Sequence, residues 1–176
     1  AQPMQLKPVT TELNRLLQDI IELHRQNKKI NTFELDLDDT LPLVRIDPAG
    51  IRQVLNNLVI NAADAMAGIP SGRLTLRTHQ ATGSKDRSVA LEVRDTGPGF
   101  PQELLGSIFD PYVTTKTKGA GLGLAIARRI IEEQGGSIRA ENDPAGGALV
   151  IIQLPVSLDT KPTGPLEGIT NTASSH

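Results

Sequence analysis

The chain has 176 residues, 38% apolar and 22% charged, which is enough for one buried core and too little for two ordinary domains. Its 18 basic and 20 acidic residues leave a net charge of −2, and only 2% of residues are aromatic, which argues against nucleic acid and against an anionic membrane surface as partners. There is no Cys, so disulfides, thiolate zinc sites and cysteine nucleophiles are excluded, and the longest apolar run, residues 148–152, is far below the ~20 residues needed to cross a bilayer.

Residues 1–9 carry no periodic pattern, after which Leu13, Leu16, Leu17, Ile20, Ile21 and Leu23 recur at helical spacing to about Gln26, with Thr10 or Thr11 as the expected cap. Between 29 and 40, Ile30, Phe33, Leu35 and Leu37 read as a strand, with residues 43–46 as a short partner. Asp47 caps and Pro48 opens a helix that runs to about Ala67 and stops at Gly68 and Pro70. Alternating strands follow at 73–79 and 88–94, then a Gly- and Pro-rich passage from 95 to 123, a helix from about Gly121 to Gln134, and a hairpin of strands 137–142 and 148–154. Beyond Pro155, Pro162, Gly164 and Pro165 sit among Ser and Thr with no aromatic anchor, so 156–176 is expected to be a disordered tail. The fold class implied is α+β, with helices covering one face of a mixed sheet. Residues 1–28 would be a connector and first helix, and 29–155 the domain proper.

Three clusters carry chemistry. In the helix from Pro48, Asn57, Asn61 and Asp64 fall at i, i+4 and i+7, a polar line beside the apolar stripe. Asn is a mediocre helix former, and two on one line suggest a task for their amides, although a solvated face would look the same. In the strand ending at Asp95, Val89, Leu91 and Val93 share one face, and Asp95 continues their series toward the core. A buried acceptor-only carboxylate needs donors, so a ligand amine or a fixed water is expected there. Gly97 and Gly99 let the backbone turn closely beside it.

The second glycine cluster, Gly119, Gly121, Leu122 and Gly123, runs into a helix whose free N–H groups suit a phosphate. It is neither a dinucleotide fingerprint nor a P-loop. Between the clusters, Phe109 and Tyr112 are expected to fasten a movable loop, and Thr114, Thr115, Lys116 and Lys118 offer donors and positive charge.

The ordered segments NNLVINAADAM, DTGPGF, FDPYVTTK and GAGLGL resemble the N, G1, F and G2 boxes of histidine-kinase ATP-binding domains, over about residues 35–155. That family has the Bergerat fold, a two-layer α/β sandwich, which for this chain implies a mixed sheet of about five strands covered by three helices. The resemblance implies binding of ATP and Mg²⁺, with Asn61 on the metal, Asn57 assisting at the phosphates and Asp95 accepting from the adenine amino group. Gly97 and Gly99 would border the base, Lys116 would approach the terminal phosphate, and Gly119, Gly121, Leu122 and Gly123, with Thr115, would line the phosphates. Asp64, the TTK form of the F box and a short lid are closest in style to nitrogen-regulation sensor kinases.

The departures are as informative. Hydrolytic relatives carry a water-activating Glu four residues before the metal-binding Asn, where this chain has Asn57, so transfer to another acceptor is implied rather than hydrolysis. The phosphoacceptor motif, His followed by Glu and then Asn-Pro, is absent, and His24 and His79 read as structural or solvated. The acceptor histidine is then expected on a separate dimerisation domain of a longer, cytoplasmic or membrane-anchored kinase, with a response regulator downstream. Two alternatives stay open: a serine kinase of the anti-sigma-factor type, and a nucleotide-gated interaction module without chemistry.

Overall fold

The computed structural model describes residues 5–83, 87–113 and 123–162. Its elements run β1 (Val9–Thr11), α1 (Leu13–His24), β2 (Thr32–Asp36), β3 (Val44–Ile46), α2 (Pro48–Met66), β4 (Arg73–Gln80), β5 (Ser88–Asp95), a 3₁₀ helix (Gln102–Ser107), α3 (Gly123–Glu133), β6 (Ser137–Asn142) and β7 (Ala148–Pro155). Five strands form one sheet in the order β2-β4-β5-β7-β6. The β2–β4 pair is parallel and the others are antiparallel, so the sheet is mixed as expected.

Alternation decides what the sheet buries. Leu74 and Leu76 of β4, Val89, Leu91 and Val93 of β5, and Val150, Ile152 and Leu154 of β7 join the stripes of the three helices in one core. Each such side chain contributes about 1.5–3 kcal/mol of transfer free energy when fully buried. The intervening residues Arg77, Glu92 and Arg94 lie on the opposite face, where Glu92 is paired with both arginines at 3.4 and 3.5 Å and with His79 at 3.0 Å. His79 is therefore structural, and His24 likewise binds a side chain, Oδ1 of Asn56, at 2.8 Å.

Helix α2 starts as its sequence dictates. Asp47 Oδ1 accepts from Ala49 N at 3.0 Å and Gly50 N at 3.4 Å, with Pro48 in the first turn. The helix ends before Gly68, whose φ of +82° no continuing helix could use.

Several expectations about the ends need correction. Thr10 and Thr11 do not cap α1, whose N-cap is Glu12 with no side-chain cap bond; they lie in β1. Residues 43–46 do not pair with β2: β3 pairs with β1, and Val44 bridges to Val156. The tail is not loose from 156 onward, because Ser157 N donates to Leu43 O at 2.7 Å, and Thr10 Oγ1 binds Ser157 Oγ at 2.7 Å and Asp159 Oδ2 at 2.8 Å. The connector and the end of β7 are thus held at one seam, with Thr10 fully buried in it. Among the described residues no helix is long and apolar enough to cross a membrane.

Candidate functional site

The last residue of β5 is a buried acid. Asp95 pairs with Leu74 across the β4–β5 ladder, which turns its side chain toward the core with Val93 and Leu91, and it is only 7% exposed. The expected donors are present, and they come from the backbone: Oδ1 accepts from Gly97 N at 2.9 Å and from Ala148 N, on the neighbouring strand β7, at 3.3 Å. Among the described residues no donor reaches Oδ2. Burial pushes the Asp95 carboxyl above the usual carboxylate range, and those two N–H groups offset the rise only in part. A carboxylate with one oxygen anchored and the other uncompensated is suited to receiving a hydrogen bond from a ligand.

The loop after Asp95 lies tightly against its surroundings. A Cβ at Gly97 would come 3.1 Å from Asp95 Oδ1 and 3.2 Å from Ala65 O of α2. Gly99 has φ +81°, and a Cβ there would meet Asn142 Oδ1 at 2.7 Å. Thr96 hooks the loop to β4, its N donating to Arg73 O at 3.2 Å and its Oγ1 accepting from Arg73 N at 2.9 Å.

On α2, Asn57, Asn61 and Asp64 are half-buried and share one line, as the spacing implied. Asn57 Nδ2 donates to Gly123 O, the first residue of α3, at 3.5 Å, which places the amide line beside the end of the second glycine cluster. Asp64 is paired with Lys29 at 2.9 Å. Asn61 and Asp64 make further contacts as well. Of that cluster's candidates only Gly123 is described; Gly119, Gly121 and Leu122, together with Thr115 and Lys116 of the F segment, lie outside the described residues.

The F segment departs from expectation. Tyr112 is 74% exposed, while Phe109 is half-buried and Ile108 is buried, at 6%, so among the described residues the packing there comes from Ile108 and Phe109 and not from Tyr112. The 3₁₀ helix Gln102–Ser107 was also unforeseen, because six residues with no buried member carry no periodic signal.

Two contributors to the site escaped sequence reasoning. Asn142 closes β6 and binds both polar groups of Phe100, and Gly147, with φ +93°, lies so close to Asp95 that a Cβ would sit 2.0 Å from its carbonyl oxygen. Both belong to a hairpin about fifty residues downstream, and only the Gly146-Gly147 pair gave a local hint of positive φ.

The sequence profile of the histidine kinase-, DNA gyrase B-, and HSP90-like ATPase family matches residues 46–158. Among curated proteins the chain is similar to the sensor histidine kinase ZraS of Klebsiella oxytoca, 37% identical over 88% of this chain and 33% of that protein. It is also similar to the sensory histidine kinase/phosphatase NtrB of Rhizobium leguminosarum bv. phaseoli, 38% identical over 69% of this chain and 34% of that protein. The chain thus spans about a third of these relatives. Among solved structures, the catalytic domain of histidine kinase ThkA aligns with TM-score 0.74 at 34% identity, covering 86% of this chain and 97% of that one. Full-length ShkA in complex with AMPPNP aligns with TM-score 0.74 at 28% identity over 96% of this chain and 35% of that one. ThkA in complex with the response regulator protein TrrA aligns with TM-score 0.70 at 31% identity over 86% of this chain and 42% of that one. The matched profile takes in α2, the Asp95 loop and the closing hairpin together, and the chain belongs to the histidine kinase-, DNA gyrase B- and HSP90-like ATPase family, as an ATP-binding catalytic domain of the sensor histidine kinase type.

Proposed function

We infer that this domain binds Mg²⁺–ATP between the Asp95 loop and the amide line of α2, and presents the γ-phosphoryl group to a histidine on a separate dimerisation domain of the same kinase. The observation that carries this reading is the Asp95 carboxylate, buried at 7% exposure with Oδ1 held by two backbone N–H groups. Its remaining oxygen is the natural acceptor for an exocyclic amine, and adenine carries one. Gly97 and Gly99 let the loop lie close against Asp95, Ala65 and Asn142, where a side chain would collide. ShkA, which shares the fold, is solved in complex with AMPPNP, which supports a nucleotide as the ligand of this fold.

Toward the phosphates the chain offers Asn57 and Asn61, with Gly123 at the head of α3. An amide oxygen is a hard donor of the kind Mg²⁺ accepts, and the cation would need few ligands from the protein where phosphates supply the others. Mg²⁺, when bound, would neutralise charge on the phosphates. Asn61 is the residue we assign to it. Asn57 would orient the phosphates and, as an amide, cannot take a proton from water. Lys116, Thr115, Gly119, Gly121 and Leu122 are assigned to the terminal phosphate and its neighbours on their motif positions.

The transfer then makes an N–P bond to the acceptor imidazole, breaks the bond between the β,γ-bridging oxygen and γ-phosphorus, and leaves ADP. The imidazole proton passes to a base outside this chain. A response regulator would take the phosphoryl group next, the kind of partner with which ThkA is solved. The first test is calorimetric titration of Mg²⁺–ATP into the wild-type chain, Asp95→Asn and Asn61→Ala, followed by transfer of labelled γ-phosphate to a supplied histidine domain. Saturable binding that both substitutions weaken, with label on the histidine, is expected. Binding without transfer would reduce the domain to a nucleotide-gated module.

A further inference from the structure

The loop from Asp95 to Phe100 is held from outside by one side chain beyond the nucleotide motifs. Asn142, the last residue of β6, has Oδ1 accepting from Phe100 N at 2.7 Å and Nδ2 donating to Phe100 O at 2.8 Å. A side-chain amide so placed does what an adjacent strand would do, satisfying the N–H and the C=O of a single residue. The same side chain covers Gly99, where a Cβ would lie 2.7 Å from Oδ1. Across the hairpin, Ala148 N holds Asp95 Oδ1 at 3.3 Å, and Arg94, one residue before Asp95, is ion-paired with Asp143, one residue after Asn142. The β6–β7 hairpin therefore grips the loop at both ends, and Asn142 is its grip on the far end.

We propose that Asn142 is a positioning residue for base recognition: by fastening Phe100 it fixes the 95–100 loop, and with it the direction of the Asp95 carboxylate and the wall made by Gly97 and Gly99, before nucleotide arrives. This rests on the nucleotide-binding reading above. A loop released at Phe100 must be ordered on binding, which costs affinity. It also tolerates more ring orientations, which costs selectivity for a base with an amino group at that position over one with a carbonyl.

The test compares ATP and GTP, each with Mg²⁺, by calorimetry or competition on four chains: wild type, Asn142→Ala, Asn142→Asp and Asn14→Ala. Asn142→Asp keeps an acceptor for Phe100 N and loses the donor to Phe100 O. Asn14→Ala is the stability control, because Asn14 also makes two such bonds, to Asp38 O at 2.8 Å and from Thr78 Oγ1 at 2.9 Å, on the α1 side of the sheet. Asn142→Ala is expected to bind ATP roughly tenfold more weakly and GTP within about twofold of wild type, so that the preference narrows. Asn142→Asp should fall between, and it carries the test if the Ala variant does not fold. Asn14→Ala should melt earlier and keep wild-type affinity and preference. Wild-type affinity and preference in both Asn142 variants would overturn the proposal, as would equal losses in Asn14→Ala, which would make Asn142 merely structural. A folded wild-type chain that binds no ATP would instead remove the nucleotide reading and this inference with it.

Discussion

Asp95 and Asn61 are assigned to opposite ends of one nucleotide, and the fold supports them in different ways. Asp95 closes a central strand, and its Oδ1 is fixed by main-chain donors of its own loop and of β7. The amides of Asn57 and Asn61 stand on the side of an amphipathic helix whose burial is carried by Val54, Leu55, Leu58, Val59 and Ala62. Main-chain donors exist only while the fold exists, so the base end is part of the architecture. The phosphate end is made of side chains that stand beside that apolar stripe and are not part of it. Disturbing the main-chain frame of the first should couple stability to binding, whereas exchanging a side chain that meets the nucleotide, at either end, should separate them.

The hardest test of the base end is Gly147→Ala. Its φ of +93° is strained for any L side chain, and the added Cβ would sit 2.0 Å from Asp95 O, a backbone atom that cannot move alone. A loss of more than about 3 kcal/mol of folding stability is expected in a urea or thermal melt, with nucleotide binding lost together with it. A variant that stayed stable but failed to bind would break the coupling between the two properties.

Asp95→Asn sharpens the comparison differently. Affinity for Mg²⁺–ATP should fall roughly ten- to a hundredfold, the range expected for a charge-assisted bond replaced by a mismatched donor. Stability should not follow it down. Because burial raises the Asp95 carboxyl above its unfolded value, its favourable contribution is complete at acid pH and is lost as pH rises through the folded value. Above that folded value the ionised side chain is therefore a cost, and there Asp95→Asn should melt at or above the wild-type temperature. The gap should close as pH is lowered toward the ordinary carboxylate range. A variant melting well below wild type at a pH above the folded value would mean that the two N–H bonds outweigh burial.

What could be read from the sequence divides along the same line. The cap at Asp47, the stop at Gly68, the inward series ending at Asp95 and the amide line on α2 are local patterns, each written within a few residues. The grip of Asn142 on Phe100, forty-two positions away, and the contact of Gly147 with Asp95 depend on strand order, which no local pattern encodes. The β1–β3 pair fails to announce itself for another reason: three residues per strand are too few for alternation to exceed chance, and Thr10 is buried by a network formed with Ser157 and Asp159. Roles for Asn61, Lys116 and the second glycine cluster came from the resemblance and from residue type.

At the phosphate end, Asn61→Ala should weaken Mg²⁺–ATP by about tenfold, while adenosine, which lacks phosphates, binds as to wild type. Since Asn61 lies beside the apolar stripe of α2, and Ala is the better helix former, the melting temperature should stay within a few degrees. Equal weakening of adenosine and ATP would move Asn61 from the phosphates to the base and dissolve the division drawn here.

The smallest effect is expected at Lys29, whose ammonium pairs with Asp64 at 2.9 Å on the same polar line of α2. Lys29 is 53% exposed and Asp64 32%, so water and salt compete with the pair and Lys29→Ala should cost less than about 1 kcal/mol. The change should shrink further when melts are repeated at high ionic strength. Affinity is the more telling measurement. Removing a cation near an acidic residue one turn beyond Asn61 makes the surroundings of the phosphates more negative, so binding of Mg²⁺–ATP should weaken slightly, by less than about threefold at low salt, and recover as salt is added. A salt-independent loss would instead mean that Lys29 positions Asp64 for a direct contact, which would extend the phosphate end by one residue and tie it to the segment before β2.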